Sequence, residues 1–182
     1  MTLSPVIRLE TASDTEAVFR VNKEAFHATA RGGVRRRPEE DVAALVDELR
    51  ANGNLTLSLV AEIDGEVAGH VGFSPVTFEP GAPGVMALQL SPLAVLPAWQ
   101  RRGIGGALIR EALARCHDLG VDAVFLLGHP GYYPRFGFRP ARELGVHYQD
   151  DRDAFMGIEL RPGALAGSDA RLRLSPEFDR FV

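Results

Sequence analysis

Cysteine and lysine are almost missing from this chain. A single cysteine, Cys116, excludes an intramolecular disulfide and any thiolate cage around a metal, and a reducing interior suits such a protein. Lys23 is the one lysine among 20 basic side chains, a bias from which no function is read. The formal charge of −4 lacks the basic excess of a phosphate-backbone binder, so nucleic acid is not an expected partner. Long apolar runs are missing too: nowhere do about 18 uncharged apolar residues follow one another, and "MTLSPVIRLE" has no basic head before an apolar stretch. No membrane partner is expected, and the expected location is cytoplasmic. With 182 residues, 46% of them hydrophobic, and no repeat or linker, one domain over 1–182 is expected. Its core should cover about 6–160, with an extension over 161–182.

A strand near Val6 to Leu9 precedes "SDTE", where Ser13 and Glu16 are expected to form a capping box. Ala17, Val18, Val21 and Ala25 then recur at helical spacing, with Phe26 near the end. The loop from Arg31 to Arg37 is basic and glycine-containing, and Pro38 to Asp41 favour a second helix with Val42, Leu45, Val46 and Leu49 inward. Two β-rich runs, "LTLSLVAEI" and "EVAGHVGF", flank Asp64-Gly65, a hairpin signal. "VMALQLSPLAV" reads as a longer strand broken by Ser91-Pro92, where a bulge or unpaired segment is expected because proline donates no ladder bond.

A helix is expected from Gly103 to about Asp118, with Ile104, Leu108, Ala112 and Leu113 inward and Gly120 closing it. "VDAVFLL" follows as a central strand, and a strand–helix–strand unit implies parallel neighbours. "HPGYYPRFGF" makes a turn and a brief helix, and strands near "FMGIEL" and "RLRL" are expected to complete one mixed sheet.

The stretch richest in chemical information is "PAWQRRGIGGALIREAL". Gly103, Gly105 and Gly106 leave the backbone of a helix start uncovered, so several N–H groups can converge on an anion such as a pyrophosphate. A Walker A loop would need lysine and a hydroxyl residue where Ala107 and Leu108 stand. A dinucleotide fingerprint would need glycine or alanine at Leu108 and an acidic residue near Leu127 to His129. Tight helix packing alone would account for an isolated G-x-G.

The surrounding residues decide between these readings. Gln100-Arg101-Arg102-Gly103-Ile104-Gly105 follows a bulge-prone strand ending in "LAV" and precedes "YYPRFGF". In these features the chain resembles the GNAT family of N-acetyltransferases, and "LSPLAVLPAWQRRGIGGALI" with "GYYPRFGFRPA" is similar to its YhbS-like bacterial branch. The resemblance implies an α/β GNAT fold: a mixed, mostly antiparallel sheet with a central splayed parallel strand pair, flanked by helices. It implies acetyl-CoA, with the pyrophosphate on the amides of Gln100, Arg101, Arg102, Gly103, Ile104, Gly105 and Gly106 and the pantetheine arm along Leu93, Ala94 and Val95. It also implies an amine acceptor, a small molecule or a peptide, with homodimer pairing left open.

The implied reaction is direct attack of a primary amine on the thioester. The family's general acid is a tyrosine four places before the glycine of its "GF" pair, which here is Tyr133 before Gly137-Phe138, with Tyr132 as the neighbour able to substitute. An unperturbed phenol, pKa about 10, stays protonated at neutral pH. Where the family often has asparagine, this chain has Leu126. Ser91 is expected to position water or acceptor, or else simply to form the turn; His70, Glu79 and His129 are the candidates for a base. Cys116 reads as core filling. The alternative function is a non-catalytic acyl-CoA sensor or interaction module that keeps the groove without turnover.

Overall fold

The computed structural model describes residues 4–29, 39–81 and 84–181; the loop from Arg31 to Arg37 lies outside them. The chain opens with β1 (Val6–Leu9), α1 (Thr15–Thr29) and α2 (Glu39–Ala51), then β2 (Leu57–Ile63), β3 (Glu66–Pro75), β4 (Thr77–Glu79) and β5 (Ala87–Val95). It continues with α3 (Ile104–Asp118), β6 (Ala123–Leu127), β7 (Arg139–Pro140), β8 (Val146–His147), β9 (Phe155–Glu159) and β10 (Ala170–Arg173), ending in a 3-10 turn over Pro176–Phe181. Seven strands form the main sheet in the order β1-β2-β3-β5-β6-β9-β7, and β4-β10-β8 form a second one.

The hairpin over Asp64-Gly65 forms as its composition dictates: both residues take positive φ, 51° and 83°, and β2 runs antiparallel to β3. On one face of the main sheet, Leu108, Ile109 and Ala112 of α3 pack against Leu59, Phe73, Leu88, Val124 and Met156. Burying a side chain of the Leu, Ile or Phe kind contributes roughly 1.5–3 kcal/mol, so this layer is the main source of stability. On the opposite face Val18, Val21 and Val46, from α1 and α2, cover Val60, Val67 and Ala94. A separate apolar cluster joins that face to the second sheet through Phe78, Ala87, Phe125, Leu144 and Leu172.

Three expectations need correction. The cap of the first helix uses Thr11 and Asp14 rather than Ser13 and Glu16: Asp14 accepts from the Thr11 N–H at 2.8 Å and from Arg8 Nη1 at 2.7 Å, and a short 3-10 turn precedes α1. A carboxylate held by an arginine from the adjacent strand is the better-anchored partner. The strand at "RLRL" leaves the main sheet and pairs with β4 and β8, because its buried Ala170 and Leu172 belong to the second apolar cluster. His70, a candidate base, is fully buried and has no exposed surface from which to meet a substrate.

Candidate active site

The sheet opens where the proline bulge was expected. β5 runs parallel to β6 for three rungs only, Ala87 with Ala123 through Gln89 with Phe125, although both strands continue. On its other side β5 stays paired with β3, with a register shift between Val71↔Leu93 and Phe73↔Leu90, so Ser91 and Pro92 together face Gly72. The extra residue bends the strand and increases its twist. Beyond Gln89, the β6-facing edge of Leu93, Ala94 and Val95 is therefore left without a ladder partner.

The start of α3 stands over this open edge. Gly103 takes φ +85° as the residue before the helix, a left-handed conformation that a β-carbon would strain. The first backbone bond returned to the turn is Ala107 N–H to Gly103 O at 3.0 Å, so the amides of Ile104, Gly105 and Gly106 lie ahead of the first helical hydrogen bond. A β-carbon on Gly105 would lie 3.8 Å from Val95 Cγ2, 3.9 Å from Leu93 Cδ2 and 3.3 Å from the Tyr132 hydroxyl. The glycine turn, the unpaired strand edge and Tyr132 thus meet at one place, built from three separate parts of the sequence.

The remaining residues of the turn divide their work. Gln100 folds back, its Nε2 donating to Val95 O at 2.9 Å, which ties off the end of the open strand. Arg102 lies over the Trp99 ring at 5.1 Å, and Arg101 takes φ 61°. Ile104 is buried as an anchor beneath the turn.

Tyr132 and Tyr133 pack edge to face, with centroids 5.1 Å apart. The Tyr133 ring lies against Gly128 so closely that a β-carbon there would come within 2.2 Å of Cε2, and its other side meets Phe138. Burial, with a smaller contribution from Tyr132, pushes the Tyr133 phenol up to about 12, and burial also raises Tyr132. Both are proton-bearing donors at neutral pH. Leu126, standing where an asparagine was looked for, is buried beneath this pair.

The base candidates separate clearly. His70 has no exposed surface; Nδ1 is 3.0 Å from Asn22 Nδ2 and Nε2 is 3.0 Å from Ser58 Oγ. Asn22 Nδ2 donates, so His70 Nδ1 accepts and the proton sits on Nε2, aimed at Ser58. Ser58 in turn donates to Glu10, which accepts from Arg50 at 2.5 Å. Burial, and secondarily the Arg50 charge, lower His70 to about 3. This histidine is a neutral structural element. Glu79 is exposed in the second sheet and pairs with Arg173 at 2.6 Å, while His129 is exposed at the turn before the tyrosines. Ser91 is partly buried at the bulge. Cys116 lies in the core, its thiol pushed up to about 12 by burial.

Sequence reading missed the partners of His70, namely Asn22, Ser58 and Glu10. It also missed Gly128, whose bare α-carbon makes room for Tyr133, and two further buried polar residues, Ser74 and Gln89. The available signal was a lone polar residue inside an apolar run, as in "ALQLS" and "VGFSP".

Comparison with known proteins places this geometry among others. The model of the acetyltransferase (GNAT) family matches residues 17–138. The uncharacterized N-acetyltransferase YhbS of Escherichia coli is 36% identical over 152 residues, covering 81% of this chain and 90% of YhbS. The uncharacterized N-acetyltransferase YjhQ of the same organism is 40% identical over 99 residues, 54% of each chain, so the match spans about half of YjhQ. Among solved structures, YhbS from Escherichia coli in complex with CoA superposes with a TM-score of 0.87 at 30% identity, covering 100% of this chain and 96% of that one. A GNAT family acetyltransferase from Brucella melitensis in complex with acetyl-CoA gives a TM-score of 0.77 at 36% identity, covering 97% and 99%.

Proposed function

The chain belongs to the GNAT family of acetyltransferases, and from that membership we propose that it transfers the acetyl group of acetyl-CoA to a primary amine by direct attack. The observation that carries the proposal is the unpaired edge of β5 at Leu93 to Val95, opening directly beneath the bare amides at Gly105. Those amides suit a pyrophosphate, and the free strand edge suits a slender amide-bearing arm that needs backbone partners. Glycine at 105 keeps the approach between them open, since a β-carbon there would lie 3.3 Å from the Tyr132 hydroxyl. Acetyl-CoA, when bound, supplies an activated thioester, so no covalent enzyme intermediate is required.

The residues of this chain bind, orient and return a proton. Gln100 holds the strand end, Gly103 sets the turn, and Ile104, Gly105 and Gly106 would offer their amides to the pyrophosphate, with Arg101 and Arg102 as the charged residues of the same turn. Tyr133 acts as the general acid toward the departing thiolate. Burial holds its phenol protonated at neutral pH, so it is a proton donor rather than a base. Ser91 lines the bulge on the acceptor side. The acceptor is a small molecule or a peptide amine, the whole chain from 1 to 182 acts as one domain, and a reducing cytoplasm suits its single cysteine. Among the described residues, no helix is long and apolar enough to cross a membrane.

Free-thiol release from acetyl-CoA with amines, amino acids and peptides tests the activity. Tyr133→Phe is expected to lower kcat about 100-fold with unchanged acetyl-CoA affinity by calorimetry, and Tyr132→Phe should cost less. An unchanged kcat in Tyr133→Phe removes the acid role from that residue. Tight cofactor binding with no turnover on any acceptor returns the sensor reading.

A further inference from the structure

Two buried polar side chains remain unused by the fold and by the chemistry described so far. Ser74 of β3 and Gln89 of β5 stand directly opposite each other in the ladder, and Gln89 is also the last residue of β5 paired with β6. The Ser74–Gln89 rung therefore closes the apex of the gap. Ser74 has no exposed surface and Gln89 only 5%, yet neither Ser74 Oγ nor Gln89 Oε1 has a hydrogen-bond partner.

Strand alternation fixes where they point. Phe73, Leu88 and Leu90 face α3, so Ser74 and Gln89 face the other side, with Ala87 and Phe125. On that side the rung lies where the α1–α2 cluster gives way to the cluster of the second sheet. Folding gains nothing from a desolvated hydroxyl and a desolvated amide oxygen on one rung without bonds, since a buried polar group left unpaired is a net cost. The same face carries His70, whose two ring nitrogens are both within hydrogen-bond distance of a partner.

Direction along the strand supplies the ligand. With the pyrophosphate at residues 103–106 and the arm along Val95 to Leu93, the reactive end of the cosubstrate points toward the bulge and the rung beyond it. We propose that the Ser74–Gln89 rung receives the acceptor's amino group, each side chain taking one of its two N–H bonds, so that the site selects primary over secondary amines. Neither group is a base: as the N–C bond forms and the C–S bond breaks, the proton shed by the nitrogen replaces the one that Tyr133 gives to the thiolate. An amide oxygen and a hydroxyl stay uncharged, and with both N–H bonds occupied the nitrogen lone pair remains free for the thioester carbon. A secondary amine offers one N–H and leaves one acceptor unpaired, the arrangement that discriminates most strongly in a desolvated site. This inference rests on the acetyl-transfer reading above.

The test uses the full chain with Ser74→Ala and Gln89→Met, both close in size to the native residue. The probes are n-butylamine, phenethylamine and glycylglycine, each beside its N-methyl derivative, with free-thiol release as the rate. Wild type is expected to favour each primary amine. Each variant should lose at least tenfold in kcat/KM for the primary amines and compress the primary-to-secondary ratio to within a few-fold. Its acetyl-CoA Kd should stay within twofold and its Tm should be equal or higher, because an unpaired polar atom has been removed. An unchanged ratio overturns the proposal, as expected if a buried water alone serves the rung. A parallel fall of Tm and cofactor affinity overturns it in favour of a structural rung. Wild type that binds acetyl-CoA but turns over none of the probes overturns the inference and leaves the cofactor reading standing; wild type that does not bind acetyl-CoA overturns that reading first.

Discussion

The two halves of the main sheet differ in how far their buried polar side chains are bonded to one another. In the half built from β1, β2 and the first part of β3 the ladders run on, with one irregularity at Ala61/Glu62, and the polar chain from Arg50 through Glu10, Ser58 and His70 to Asn22 is bonded link by link, with Asn22 Oδ1 the one atom at its end left without a partner. In the half around the β5–β6 seam, which takes in the end of β3, pairing with β6 stops after Gln89, and Ser74 Oγ and Gln89 Oε1 on their shared rung stay unbonded. A satisfied network rigidifies a fold, while an unsatisfied one persists where something else supplies its partner. The histidine that most invites a catalytic reading therefore belongs to the scaffold, and the neutral rung belongs to the site.

Perturbing each half separately should break or sharpen this contrast. The largest effect is expected from Gly105→Val, which places a branched side chain between the Tyr132 hydroxyl, Leu93 and Val95. Acetyl-CoA Kd should rise about 100-fold, or about 2.7 kcal/mol, with little change in Tm. Calorimetric titration showing native affinity would mean that nothing is seated in this cradle.

His70→Leu should do the reverse. It removes one partner each from Asn22 Nδ2, which keeps Val18 O, and from Ser58, which keeps Glu10, and is expected to cost about 2–3 kcal/mol of stability, lowering Tm by roughly 5–10 °C. Cofactor affinity per folded molecule should hold, and a selective loss of turnover without a loss of Tm would move His70 back into the site.

A smaller effect follows from pH. His70 is neutral when folded, its pKa lowered to about 3, while the unfolded chain takes up that proton below about 6.5. The unfolded state therefore binds more protons as pH falls, and stability should decline between about 6.5 and 4.5 by up to about 1.4 kcal/mol per pH unit. The depressed carboxyl of Asp14 adds its own loss only below about 4. Denaturant melts of His70→Gln should be flatter across that window, and a slope equal to wild type would assign the pH dependence elsewhere.

The smallest change is expected on the outer face of α3, away from both halves. Arg115 Nε donates to Glu111 Oε1 at 2.8 Å in a largely solvated pair one turn apart. Glu111→Ala should shift stability by less than about 0.5 kcal/mol and leave turnover alone, and a larger loss would mark a contact that α3 makes elsewhere.

Local chemistry was legible in the residues themselves. Asp64-Gly65 specified its hairpin, Ser91-Pro92 its bulge and the glycines at 103, 105 and 106 an uncovered helix start, because backbone conformation at such positions depends on one or two residues. The stripe Val42, Leu45, Val46 and Leu49 is buried as its spacing predicts. Assignments depending on more distant partners failed: the cap went to Asp14 because Arg8 reaches it from another strand, and the "RLRL" strand joined a second sheet because its apolar partners lie there.

The amino-acid order by itself determined the elements, the hairpin, the broken strand and the anion-ready turn, since each is set by sterics and hydrogen bonding within a few residues. Only the tertiary structure decided which polar side chains are scaffold and which are site. His70 and Gln89 are each a polar residue with apolar or glycine neighbours on both sides in a strand, and nothing local distinguishes them. Whether such a residue is bonded or left waiting depends on which side chains the other strands and helices bring within 3 Å, and that is fixed only when the layers pack.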